Sequence, residues 1–273
     1  MDPDRERRRL VPLAILVLAP SIALSAAPPP AADDGAFVIT KPERTLEQVE
    51  KAYAEMPPVR YTPPADRWAN LPRAAAILGK GEGEMRVVML GDSIVNDTSR
   101  SRWEDLLAKR YPKLKIVKVT CVRGSTGCWW YKEPGRVQRY VLDHRPDLLI
   151  IGGISQRGDV DSIRDVVRQV RGRPPCDALL MTGAFGETDP RDDERWRFEV
   201  DPKGTDYRAR LGRLAAELKA GFLDMQAHWG KYVRESGKDL AWFKRDPIHA
   251  NERGEQILGR ILVEHLSPPV PGQ

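Results

Sequence analysis

Cysteine is scarce in this chain: its 273 residues hold three, Cys121, Cys128 and Cys176, with no C-x-x-C and no clustered His/Cys spacing. That scarcity excludes a dense disulfide framework and argues against a structural zinc site. Cys121 and Cys128 flank one short loop, so the sequence allows either a bridge between them or buried free thiols. Beyond the first ten residues there is no arginine- or lysine-rich tract with interleaved aromatics. No nucleic-acid partner is therefore expected, although the formal charge is +5, because the bases are scattered among nearly as many acids. Neither a P-loop nor a G-x-G-x-x-G fingerprint follows any candidate strand, so no nucleotide cofactor is expected, nor any metal. What remains, 41% hydrophobic and 30% charged residues, is ordinary globular composition.

One long apolar run exists, from Leu10 to Ala27, behind the basic cluster at Arg5 to Arg9 and ahead of small residues. This pattern predicts an export signal over residues 1–27 and a secreted or periplasmic protein. An uncleaved anchor is the alternative, since the run is just long enough to span a bilayer. No cysteine follows the run, which excludes lipoprotein processing there. Residues 28–45, rich in Pro, Ala and Asp, read as a linker. Leu46 to Met56 has helical spacing until Pro57 and Pro58 stop it, and the stretch 28–84 as a whole reads as linker plus helical extension. The domain proper is expected over 85–268, with a short tail at 269–273.

From Met85 short apolar runs alternate with helical spacing. RVVMLG, KLKIVKVT, DLLIIGG, DALLMTG and GFLDM are five strand candidates. Helical stretches are expected at 98–112, 136–143, 160–170, 206–219 and 252–266. Alternation of this kind implies βαβ crossovers, a five-stranded parallel sheet covered on both faces, and a site outside the carboxyl ends of the strands.

The chemistry-bearing residues fall at those ends. Ser93 directly follows RVVMLG, and a serine hydroxyl becomes a nucleophile when a neighbouring base takes its proton. Of four histidines, His249 alone sits in a loop with an acid arranged beside it, Asp246, three residues earlier. His144 precedes a strand on the opposite edge, and His228 and His265 lie in helical stretches. The loop CVRGSTG supplies Gly124 and Gly127, whose backbone N–H groups can approach a developing oxyanion, and the loop GGISQRG supplies Ser155 and Gln156.

With these blocks in place the chain resembles the SGNH, or GDSL-type, hydrolase superfamily over roughly residues 85–266. The first block corresponds to Gly91-Asp92-Ser93-Ile94, the second to VRGSTG and the last, D-x-x-H, to Asp246 and His249. The resemblance implies a three-layer flavodoxin-like fold and a serine esterase needing no cofactor. In it Ser93 is the nucleophile, His249 the base and Asp246 the group orienting it, with the Ser93 and Gly127 N–H groups in the oxyanion hole. The family's third block, Gly-x-Asn-Asp, is altered: Ser155 stands where the asparagine is expected, so either its hydroxyl or the Gln156 amide must replace the missing donor. The nucleophile elbow of α/β-hydrolases is excluded, because Gly91-Asp-Ser93-Ile-Val95 lacks its second glycine.

Around this centre Asp92, Gly124, Trp129, Trp130 and Arg157 are candidate substrate contacts. The tryptophans could offer a stacking face for a sugar, and Arg123 and Arg157 could meet an acidic group. The charged stretch Gly183 to Trp196 reads as a lid or an irregular surface segment. A small-molecule or polysaccharide ester, O-acetylated carbohydrate first, is the expected substrate. An O-acyltransferase using the same serine, and a non-catalytic glycan-binding envelope protein, are the alternatives.

Overall fold

Strands buried on both faces must be apolar along their whole length, and four of the strands here are Glu82–Gly91 in its second half, Leu148–Ile151, Asp177–Met181 and the end of Lys113–Val122. The computed structural model describes residues 35, 37–39, 43–171, 175–193, 196 and 200–268; the expected export signal and the tail at 269–273 lie outside the described residues. In chain order the elements are β1 (Phe37–Ile39), α1 (Leu46–Ala54), α2 (Pro72–Lys80), β2 (Glu82–Gly91), α3 (Ser93–Arg100), α4 (Trp103–Arg110), β3 (Lys113–Val122), α5 (Cys128–Tyr131), α6 (Arg136–Tyr140), β4 (Leu148–Ile151), α7 (Val160–Arg171), β5 (Asp177–Met181), α8 (Tyr207–Glu217), β6 (Gly221–Leu223), α9 (Met225–Ser236) and α10 (Glu252–Leu266).

The sheet has six strands in the order β1-β3-β2-β4-β5-β6. All neighbours are parallel except β1, which pairs antiparallel with β3 through Phe37↔Val122, Val38↔Cys121 and Ile39↔Thr120. The five parallel strands follow the flavodoxin-like 2-1-3-4-5 order, whose switch point lies between β2 and β4. The expected count of five is corrected to six. The added strand is a three-residue edge in the stretch read as linker, where nothing but pairing with a distant strand makes it extended.

Side chains alternate across the sheet with a period of two, and the core divides accordingly. Val87, Met89, Leu148 and Ile150 face one layer, with Ile94 and Val95 of α3, Trp103 of α4, Trp229 of α9 and Ile257, Leu258 and Ile261 of α10. Val88, Leu90, Leu149 and Ile151 face the other, with Tyr131, Tyr140, Val166, Val167 and Leu211. This is the three-layer α/β/α arrangement. Leu71, Ala74 and Leu78 are fully buried in the first layer, so residues of the stretch expected to be an extension pack into this core, and residue 85 lies within β2.

The helical stretch expected over 98–112 is two helices, α3 and α4. Arg102 between them adopts left-handed backbone (φ 59), and the buried Ser101 hydroxyl donates to the Thr98 carbonyl at 2.6 Å. Among the described residues no helix is long and apolar enough to cross a membrane. The three cysteines are free: Cys121 and Cys128 are buried thiols, and burial pushes the Cys121 thiol up to about 12.

Candidate active site

β2 ends at the switch point and the chain turns at once into α3, which sets Ser93 at the first position of a helix. Asp92 caps that helix, its Oδ1 accepting from the Ile94 N–H at 2.9 Å. Its Oδ2 accepts from the Ile154 and Ser155 N–H groups at 2.8 and 2.7 Å, so one buried carboxylate ties the end of β2 to the loop after β4. Asp92 was expected against substrate; with both oxygens engaged by backbone and 1% exposure, it fastens the loop instead. Gly153 makes this approach possible: it sits at φ 98, and a Cβ there would stand 2.5 Å from Asp92 Oδ1.

The structure brings Ser93, His249 and Asp246 together. Ser93 Oγ lies 2.8 Å from His249 Nε2, and His249 Nδ1 lies 2.8 Å from Asp246 Oδ2. Asp246 Oδ1 also accepts from the Ile248 and His249 N–H groups, each at 2.8 Å. Those backbone donors, more than the imidazole, push the Asp246 carboxyl down to about 2, so this exposed group is a carboxylate near neutral pH. The other histidines lie elsewhere. His265 is buried with Nδ1 2.8 Å from the Tyr61 hydroxyl, and burial pushes it down to about 3, while His228 packs on the same tyrosine ring at 4.3 Å.

The loop carrying Asp246 and His249 is closed at its base by a Lys244↔Ala250 bridge and by Arg245 N–H donating to the His249 carbonyl at 3.1 Å. Asn251 caps α10 with its side-chain oxygen and donates through Nδ2 to the carbonyls of Trp242 and Lys244. Beneath it is Asp97, a residue assigned no role on the sequence. It is fully buried, accepting from Arg245 Nη1 at 2.8 Å and from the Ala250 N–H at 3.0 Å. Burial raises the Asp97 carboxyl pKa, and Arg245 pulls against that rise. The signal was present in the spacing: Asp97 is four residues after Ser93, on the same face of α3 one turn on. Ser93 and the residue that supports the His249 loop thus share one helix.

Beside Ser93 lie the ends of β3 and β4. Gly127 packs flush on the β4 loop, where a Cβ would stand 2.6 Å from Gln156 Oε1 and 2.8 Å from the Ser155 carbonyl oxygen. The N–H groups of Ser93 and Gly127 make no hydrogen bond among the described residues. Gly124 is at the exposed apex of the same loop, its carbonyl accepting from Thr126 Oγ1.

The GDSL-like lipase/acylhydrolase family model matches residues 89–257, most of the chain, including Ser93, Asp97, Asp246 and His249. The chain belongs to that family. It is an esterase of the SGNH type, a serine-dependent ester hydrolase by membership. Among solved structures it is similar to a two-domain esterase active on acetylated mannans, at 17% identity and TM-score 0.54; the match covers 74% of this chain and 55% of that one, so the chain spans about half that esterase's length. Two variants of an acetyl xylan esterase from Geobacillus stearothermophilus match at 18% identity, with TM-scores of 0.51 and 0.52, covering 68% and 69% of this chain and 96% of theirs. These likenesses concern the fold. No curated protein sequence matches the chain.

The family's third block is where the side chains depart from expectation. Gln156 is buried, its Nε2 donating to the Gly152 carbonyl at 2.9 Å and its Oε1 accepting from the Cys128 N–H at 2.9 Å. Its amide is therefore occupied in joining two loops and does not face the cleft, which corrects its assignment as an oxyanion donor. The half-buried Ser155 has its N–H on Asp92 and its carbonyl on Trp129 Nε1, while its hydroxyl makes no hydrogen bond among the described residues.

Trp130 is corrected as well. It is buried beside Tyr131 and Tyr140, with the Arg136 guanidinium 3.8 Å and the Arg123 guanidinium 5.1 Å from its ring centroid, so it offers no open stacking face. Trp129 is half-buried, and Arg157 covers its ring at 4.0 Å. The stretch after β5 is strapped down: Lys244 Nζ donates to the Gly186 carbonyl, Arg191 pairs with Asp239, and Trp196 packs against Trp229 at 5.3 Å.

Proposed function

We propose that the chain is an exported esterase that removes O-acetyl groups from saccharides, with Ser93 as nucleophile, His249 as base and Asp246 orienting and stabilising the imidazolium. One observation carries the chemistry: the unbroken line from Ser93 Oγ through His249 to Asp246, with 2.8 Å at each junction. In the first half-reaction the serine O–H proton passes to His249 Nε2 as Oγ bonds to the ester carbon, and the carbonyl electrons move onto oxygen. The N–H groups of Ser93 and Gly127 and the hydroxyl of Ser155, which make no hydrogen bond among the described residues, are the donors assigned to that oxygen. The tetrahedral intermediate collapses by breaking the bond to the alcohol oxygen, which takes the proton from His249. Water then repeats the sequence on the acyl-enzyme, giving acetate and free Ser93.

The substrate class is supported by the named activities of the neighbours with this fold, on acetylated mannans and acetylated xylan, and export by the basic cluster and apolar run at the N-terminus. Acetate release from acetylated xylo- and manno-oligosaccharides tests the reading. Ser93→Ala and His249→Ala are expected to lower kcat by about 10⁴-fold or more. Unchanged release in either variant sinks the assigned role, and turnover of p-nitrophenyl acetate without any release from the oligosaccharides sinks the substrate class.

A further inference from the structure

Two guanidinium groups at the loop after β4, the loop that carries Ser155, have no ion-pair partner among the described residues. Arg157 is exposed in left-handed backbone (φ 53), and its guanidinium lies over the Trp129 ring at 4.0 Å. That indole is itself fixed, donating from Nε1 to the Ser155 carbonyl at 3.0 Å. The backbone is fixed too, since Gln156 is bonded at both ends of its amide and Ser155 N–H is bonded to Asp92. Arg157 makes no hydrogen bond or ion pair among the described residues, so stacking alone holds its fork of donors in place, two residues along the loop from Ser155.

Arg210 of α8 reaches the same loop. Its Nη2 lies 3.4 Å from where a Cβ on Gly158 would stand, and its Nε is buried without a hydrogen-bond partner. The carboxylates nearest in the chain are already engaged: Asp206, one turn before Arg210, caps α8 by accepting from the Ala209 N–H at 2.8 Å. Asp92 accepts only backbone N–H groups, and Asp159 accepts from the Ser162 N–H and hydroxyl at 3.0 and 2.5 Å. Arg157 and the glycine that Arg210 approaches are adjacent in the chain, and a planar guanidinium binds carboxylate or phosphate in bidentate fashion.

We infer that Arg157 and Arg210 form an anion subsite that selects esters whose sugar carries a carboxylate or a phosphate. The inference rests on the ester-hydrolase reading for its location, and its test separates the two. O-acetylated glucuronate, glucose 6-phosphate and glucose are compared as substrates of the wild type, Arg157→Gln, Arg157→Lys and Arg210→Gln. The wild type is expected to favour an anionic over the neutral ester by about tenfold or more in kcat/KM, the scale of one charge-assisted hydrogen-bonded contact. Either glutamine substitution collapses that ratio, and Arg157→Lys retains part of it. Preference for glucuronate identifies a carboxylate as the ligand; preference for the phosphate identifies a phosphate. A wild-type ratio near one, or a ratio unchanged in both glutamine variants, overturns the subsite while leaving the esterase intact. Should no ester turn over, calorimetric titration with glucuronate, glucose 6-phosphate and glucose decides the matter. Binding of an anion by the wild type that is lost in Arg157→Gln supports the subsite, and equal affinity for all three sugars overturns it.

Discussion

At the scale of single residues, Ser155 and Gln156 exchange the parts that the sequence left open between them. Both carry donors, and chain position alone could not choose, because the choice depends on the Gly152 carbonyl just after Gln156's own strand and on the Cys128 N–H, brought beside Gln156 by the loop after β3. With the Gln156 amide engaged, the Ser155 hydroxyl is the side-chain donor left for the oxyanion. Ser155→Ala is accordingly expected to lower kcat on p-nitrophenyl acetate by about 10²-fold with little change in KM. Gln156→Ala leaves a buried N–H and a carbonyl unpaired, and is expected to cost about 1–3 kcal/mol in denaturant unfolding. A kcat for Ser155→Ala within about twofold of wild type would remove the hydroxyl from the oxyanion hole. Asp92 and Trp130 depart from the sequence expectation for the same reason: the partners that bury them, backbone groups at 154 and 155 and the guanidinium of Arg136, are invisible in their own tripeptides.

At the scale of elements, α3 and the 244–251 loop form one working unit joined by Asp97. The helix presents Ser93 at its first turn and Asp97 at its second, and Asp97 holds the loop through Arg245 and the Ala250 N–H. Asp97→Asn keeps the shape while removing the charge that Arg245 faces, so it is expected to loosen His249 more than the fold. The measurement is steady-state kinetics beside thermal unfolding. The expected result is a loss in kcat of about tenfold or more, since misplacement of a base by less than an ångström is costly, with KM little altered. A fall in stability with wild-type kcat would make Asp97 a structural residue only. The elements themselves were largely readable: the five parallel strands and the helix 252–266 appear where apolar periodicity put them. β1 was hidden because it is short, bears exposed Phe37 and Val38, and owes its extended form to β3. The break between α3 and α4 was hidden because no glycine or proline marks it: Arg102, the residue that turns left-handed there, is an ordinary helix former.

At the scale of the whole molecule, strand order does the assembling. Placing β2 at the centre, between β3 and β4, brings three separate loops to one edge of the sheet, and α10 docks the His249 loop against the first of them. This convergence was legible from the alternation of strands and helices, because parallel crossovers put every βα loop on the same edge. Ser93 is the group proposed to be acylated there. Treating the purified protein with a fluorophosphonate and mapping the adduct by mass spectrometry tests it directly. A single adduct on Ser93, absent in Ser93→Ala and formed far more slowly in His249→Ala, is the expected result; labelling of Ser93→Ala at the wild-type rate, or an adduct on another residue, would contradict it.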